Sequence, residues 1–198
     1  MNIGIVGGSL AGCSAAILLT RAGHQVTVYE RSTGVLQGRG GGIGTTSTVL
    51  EGLTRNDIVD ADFPHCPTDS MPFVGKRAEN EPMGHVPWRM PLDLKTFRWS
   101  TLWQTLRARV PDDIYHAGTP VIGADEAGGD RVRLSLEGGR EADHELVLFA
   151  DGAHSLGRSL LFPEAQPRYR GYMLWRGLLP ESMIDDSAPL ENAMPRLA

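Results

Sequence analysis

The first thirty-one residues constrain the fold more than any other segment. Ile3, Ile5 and Val6 form a short apolar run, followed by Gly7-Gly8-Ser9-Leu10-Ala11-Gly12. A Pro-free stretch rich in Ala and Leu runs on to Ala22, and Val26-Thr27-Val28-Tyr29-Glu30-Arg31 completes the series. These are the parts of a βαβ unit: a strand buried on both faces, a glycine turn, a helix over residues 11–22 and a second strand. The helix starts at the turn, so its first amides and positive dipole end face the turn, which suits a pyrophosphate. Gly7 permits the tight bend, the small Ser9 lets backbone approach a phosphate, and Gly12 with Ala16 lets the helix pack closely on the sheet. Ser9 stands where a glycine is usual, but it is small and its hydroxyl offers a further donor. Glu30, ending the second strand, is placed to accept from ribose hydroxyls, and its charge disfavours a 2′-phosphate, so FAD or NAD is preferred over NADP. Glycine spacing alone is a weak signal, and the strand, helix, second strand and acid around it make it specific.

Composition narrows the partners. With 198 residues, 41% of them hydrophobic, the chain is long enough to bury a core, and its net charge of −5 gives no footing for nucleic acid or an anionic membrane. The N-terminus enters the first strand directly, so no signal peptide is expected, and no stretch is long enough to span a bilayer. Cys13 and Cys66 have neither metal nor redox spacing. Cys13 is read as a small apolar residue, and the expected compartment is the reducing cytoplasm. His65, His85, His116 and His144 are scattered without ligand spacing and are read as surface or turn residues, with no metal. Trp88, Trp99, Trp103 and Trp175 are read as packing residues. Ser155 lacks a nucleophile's Gly-x-Ser-x-Gly setting.

Along the chain, residues 37–44 are too glycine-rich for a regular element and suited to laying backbone against a flat ligand. Ser47 or Thr48 is expected to cap a helix carrying Val49, Leu50 and Leu53. Residues 63–91 are dense in Pro, Gly, Met and aromatics, with alternation near 83–90 that predicts strands of a smaller layer. Helical spacing returns over 97–110, with Leu102, Leu106 and Val110 on one face, and Pro111-Asp112-Asp113 stops it. Residues 119–125, 131–137 and 145–150 read as strands joined by Gly-containing turns, an antiparallel meander returning to the main sheet. Leu146-Val147-Leu148-Phe149 is a second buried strand, and Asp151-Gly152 follows it as a functional loop at a sheet's carboxyl edge would. Residues 180–198 show no clear period and read as an incompletely packed tail.

Three motifs together resemble the FAD-dependent aromatic hydroxylases of the para-hydroxybenzoate hydroxylase type, and the segment Arg168 to Gly177 resembles the strand entering their substrate domain, as in the dihydroxypyridine hydroxylase-like branch. The motifs are Gly7-x-Ser9-x-x-Gly12 with Glu30-Arg31, the segment Glu145 to Arg158 around Asp151-Gly152, and Arg98 placed on a helix before Leu102 and Leu106. The resemblance implies an α/β fold: a Rossmann-like FAD/NAD(P)-binding domain with an antiparallel meander and an incomplete substrate-domain sheet. It divides the chain into an FAD-binding domain, 1–70 and 97–165, and a partial substrate domain, 71–96 and 166–198. The implied cofactor contacts are Gly7, Ser9, Leu10, Ala11, Gly12, Glu30, Arg31, Arg39, Gly42, Ile43, Arg98 and Asp151. Arg98 has the alternative reading of an exposed helix start, and Tyr172 and Arg176 either face substrate or pair across strands.

The implied chemistry is reduction of FAD by NADH or NADPH and transfer of one oxygen atom from O2 to a small aromatic or N-heteroaromatic ring, with no side chain marked as catalytic acid or base. Three residues depart from the family pattern: Phe149 where a small residue is usual, His154 where arginine is common, and Gly157 where an apolar residue is usual. The family's later Gly-Asp motif has no counterpart, because Gly129-Asp130 reads as a hairpin turn. The expectation is therefore an N-terminal portion of a hydroxylase, as a homodimer or with a missing C-terminal half. The alternatives are a catalytically inactive FAD/ADP-binding half-protein or degenerate paralogue and, against the Asp151-Gly152 segment, an NAD-dependent dehydrogenase.

Overall fold

The computed structural model describes residues 1–34, 36, 41–79, 84–173 and 181–183. The chain runs β1 (Asn2–Val6), α1 (Leu10–Arg21), β2 (Gln25–Glu30), β3 (Gly42–Thr46), α2 (Ser47–Arg55), β4 (Cys66–Gly75) and β5 (His85–Arg98). It continues with α3 (Trp99–Arg107), β6 (Tyr115–Ala117), β7 (Val121–Glu126), β8 (Val132–Leu136), β9 (Arg140–His144), β10 (Leu146–Phe149) and α4 (Leu156–Leu161). Two compact units result. The first comprises Met1–Arg39 and Ser100–Met173, and the second is built, in its described part, from residues 41–79, 84–99 and 181–183.

The first unit is the Rossmann-like α/β layer that the opening run predicts. Its parallel sheet has the order β10-β1-β2-β6, with Ile3, Ile5 and Val28 buried at its centre. Helix α1 buries Gly12, Cys13, Ala16 and Ile17, the first three small enough to allow close packing. It ends in a Schellman motif: Gly23, at φ 81°, donates to the Thr20 carbonyl while His24 donates to that of Leu19. The meander β7-β8-β9 packs Leu134 and Leu136 with Val6 and Tyr29, and its second turn uses Gly138 and Gly139, both at positive φ.

One polar network pins the meander to the sheet. The buried His144 ring bonds Tyr29 Oη through Nε2 at 2.9 Å and Asn2 Oδ1 through Nδ1 at 2.8 Å. Asn2 Nδ2 donates to the Asp143 carbonyl, which leaves its oxygen for the ring, so Nδ1 carries the proton and Tyr29 donates to Nε2. Gly4 makes room, since a Cβ there would lie 2.7 Å from the imidazole. Sequence spacing reads His144 as a surface or turn residue; it is instead a core histidine, because its partners come from two other strands.

The second unit is an antiparallel sheet of order β3-β5-β4 with α2 beside it. Phe63 packs edge-on against Phe97, and Phe73 lies across from Trp88 on an exposed face. Four local expectations are corrected here and in the first unit. Gly42–Thr46 is a strand despite its glycines, because β5 supplies a full ladder for it. The cap of α2 is Thr46, whose hydroxyl accepts from Val49 N, in place of Ser47 or Thr48. Phe97 and Arg98 end β5, so the helix begins at Trp99. The three residues of β6, too short to show a period, add a fourth parallel strand that the sequence does not announce. No helix among the described residues is long and apolar enough to cross a membrane.

Candidate nucleotide-binding turn

Two turns sit at the carboxyl ends of the adjacent strands β1 and β10, where ligands of open α/β sheets bind. The first, Gly7 to Gly12, is closed by glycine geometry. Gly7 has φ 102°, and a Cβ on it would fall 2.5 Å from the Ala150 carbonyl oxygen. A Cβ on Gly8 would strike the Tyr115 hydroxyl, and one on Gly12 would fall 1.8 Å from the Gly7 carbonyl oxygen. Ser9 is the N-cap of α1, with its hydroxyl making no capping bond. The first helical bond runs from Cys13 N to Ser9 O, so the amides of Leu10, Ala11 and Gly12 precede it and face the turn.

Glu30 is buried and serves the turn directly: Oε2 accepts from Gly8 N and Oε1 from Ser32 N, each at 2.8 Å. Each carboxylate oxygen retains a second acceptor site. The Gly8 carbonyl is the most heavily bonded group in the region. It accepts from Trp103 Nε1 at 3.1 Å, Tyr115 Oη at 3.0 Å and Cys13 Sγ at 3.3 Å. Burial pushes the Cys13 thiol up to about 12 and raises the Tyr115 phenol as well, so both remain protonated donors at neutral pH. Arg107 lies 4.0 Å over the Tyr115 ring and donates to Asp112 and the Val110 carbonyl. Trp103 packs as expected, but its donor role and that of Tyr115 are not visible in the sequence. The partner is 95 and 107 residues away, and no spacing rule connects them.

The second turn, Ala150 to Ser155, extends the ladder by one bond, Ala150 N to Val6 O at 2.7 Å. Asp151 Oδ2 accepts from Leu156 N at 2.6 Å, while Oδ1 is buried with no hydrogen-bond partner among the described residues. Gly152, at φ 80°, faces open space. Ser155 caps α4 by accepting from Arg158 N, and the Arg158 guanidinium returns to the Ala153 carbonyl. The departures Phe149 and Gly157 are linked, because a Cβ on Gly157 would sit 2.1 Å from the Phe149 ring. The large ring at one position occupies the volume that the glycine vacates at the other.

The remaining predicted contacts fall as follows. Arg31 is exposed after β2, and Arg39 lies outside the described residues, as do Trp175 and Arg176. Gly42 and Ile43 pair with Arg98 and Phe97 in the β3–β5 ladder, so Gly42, Ile43 and Arg98 are neighbours in the second unit. Among the described residues no group of His, Cys, Asp and Glu is arranged to hold a metal ion.

A family model described as an NAD(P)-binding Rossmann-like domain matches residues 5–46. The 2,6-dihydroxypyridine 3-monooxygenase of Paenarthrobacter nicotinovorans is 32% identical over 186 residues, 93% of this chain and 45% of the relative. The solved 2,6-dihydroxypyridine-3-hydroxylase from Arthrobacter nicotinovorans superposes with TM-score 0.73 at 29% identity, over 86% of this chain and 41% of that one. The chain is a relative of the FAD-dependent aromatic hydroxylases. It spans about half the length of the curated relatives it matches. Klebsiella pneumoniae HpxO, solved with FAD and uric acid, shares the fold with TM-score 0.65 at 20% identity, over 81% of this chain and 41% of that one. The hydroxylase resemblance read from the three motifs is thus borne out by sequence and by fold.

Proposed function

We propose that this chain binds FAD and serves hydroxylation of a small aromatic or N-heteroaromatic ring by NADH or NADPH and O2. The observation that carries it is the pairing of the two turns: one presents helix-start amides and a ribose-side acid, and the other holds a buried carboxylate oxygen without a donor. A dinucleotide supplies what each lacks. Its pyrophosphate takes the amides near Ser9, Leu10, Ala11 and Gly12, the adenosine ribose donates to the spare acceptor sites of Glu30, and a further hydroxyl of the cofactor donates to Asp151 Oδ1. Gly7 holds the bend. Arg31, Arg39, Gly42, Ile43 and Arg98 are assigned to the same cofactor on the resemblance.

When bound, FAD supplies the redox chemistry, taking hydride equivalents from a nicotinamide and delivering an oxygen atom from O2. The protein's share is to hold the cofactor by these contacts and to keep water from the reacting ring. The same reading takes the protein as soluble and cytoplasmic, working as a homodimer or with a further C-terminal half. The departures Phe149, His154 and Gly157 around Asp151-Gly152 favour a second reading, a catalytically inactive FAD- or ADP-binding chain.

The test is purification followed by flavin spectroscopy and NAD(P)H oxidation with and without hydroxypyridine or hydroxybenzoate substrates. A yellow protein with substrate-stimulated oxidation supports hydroxylation. ADP binding without flavin retention supports the second reading, and binding of neither overturns both.

A further inference from the structure

The geometry points to Trp103 and Tyr115 as positioning residues that set the direction of the Ser9 amide at the phosphate turn. This rests on the nucleotide-binding reading above and deepens it. Gly7-Gly8 has no Cβ to restrict it, so its two peptide planes are free to rotate unless something holds each one. In a trans peptide the C=O and the following N–H point in opposite directions, and no cis bond occurs among the described residues. The first plane is held at both ends: Gly8 N–H is on Glu30 Oε2, and Gly7 C=O lies against Gly12 Cα. Among the described residues, the second plane is held by the donors on Gly8 C=O. Trp103 from α3, Tyr115 from β6 and Cys13 from α1 pull that oxygen into the interior. Ser9 N–H therefore points away from this buried cluster, at the N-terminus of α1.

A flipped plane would turn a carbonyl toward the anion and withdraw the amide, replacing attraction with repulsion. The strong donors are the indole and the phenol; the thiol is a weak one. Burial keeps the phenol protonated, so this contact holds through the neutral pH range. Arg107, stacked 4.0 Å over the phenol ring, packs against the same side chain.

The experiment compares Tyr115→Phe, Trp103→Phe and the double variant with Tyr29→Phe, each titrated with ADP and with adenosine. Tyr29→Phe is the control, because it removes another interior hydroxyl, whose partner is His144. Each single clamp variant is expected to weaken ADP binding roughly three- to tenfold, the size of one lost hydrogen bond, and to leave adenosine binding unchanged. The Ser9 amide NMR shift should lose its response to ADP in the double variant, while Tyr29→Phe keeps it. Equal losses for ADP and adenosine, or equal losses in Tyr29→Phe, mean a general structural role and overturn the proposal. Wild-type protein that binds neither ADP nor FAD overturns the nucleotide-binding reading itself, and this proposal with it.

Discussion

The turns after β1 and β10 are neighbours on one sheet edge, yet they are finished in opposite ways. In the first, Gly7 N donates to the Tyr29 carbonyl, Gly8 N to Glu30, and the Gly8 carbonyl takes three donors. In the second, one oxygen of Asp151 is bonded and the other is buried alone, beside a glycine facing open space. A buried carboxylate oxygen without a donor is costly, so such groups are rare unless a ligand completes them. The protein itself organises the first turn, whereas the second leaves one carboxylate oxygen without a donor among the described residues, the donor that the proposed function assigns to a bound dinucleotide.

Glycine substitutions separate the two turns most sharply. Gly12→Ala places a Cβ 1.8 Å from a backbone oxygen that cannot yield without moving the turn. It should abolish measurable ADP binding and lower stability by about 3 kcal/mol or more in denaturant titration. Gly152→Ala meets no atom and carries only the strain of a left-handed backbone, about 1–2 kcal/mol. Equal penalties at the two sites would break the comparison.

The flank of the second turn gives the next largest effect. Gly157→Ala drives a methyl into the Phe149 ring and should cost roughly 1–3 kcal/mol. Phe149→Ala also destabilises, by leaving a cavity. Combined, the two should recover part of each loss, a coupling of roughly 1 kcal/mol or more in a double-mutant cycle. Strict additivity would mean that the two departures from the family pattern are unrelated.

The smallest effect concerns the strands that carry both turns. Burial, and secondarily Arg131, hold the His144 pKa below the ordinary 6.5, with Asp143 partly opposing. The unfolded chain therefore gains a proton near 6.5 that the folded chain refuses. The stability contribution is complete above that value and is lost as pH falls from 6.5 to the folded pKa. Urea midpoints should drop between about pH 7 and about pH 5.5 in the wild type, and His144→Gln should flatten that slope. A slope that persists in the variant would place its origin elsewhere. Asp143, held low chiefly by its bond to Arg133, titrates in a more acidic window and does not confuse the reading.

What the sequence discloses follows from what is local. The βαβ unit is legible because strand, turn, helix and acid are contiguous, and Asp151-Gly152 because it directly follows an apolar strand. Glu30 is legible as a site residue, but its bonds to Gly8 and Ser32 are not. The donors on the Gly8 carbonyl, the His144 network and the strand around Gly42 depend on partners brought in from elsewhere in the chain. Arg98 shows the same limit: its neighbours read as helical, but pairing with Gly42 keeps it in the strand.

The most direct measurement is the affinity of wild-type protein and Asp151→Asn for FAD and for ADP, by calorimetric titration. If the first turn is complete in itself and the second awaits a donor from the flavin side, the variant should lose roughly tenfold or more for FAD and change little for ADP. Unchanged FAD affinity, or equal loss for both nucleotides, would contradict the account.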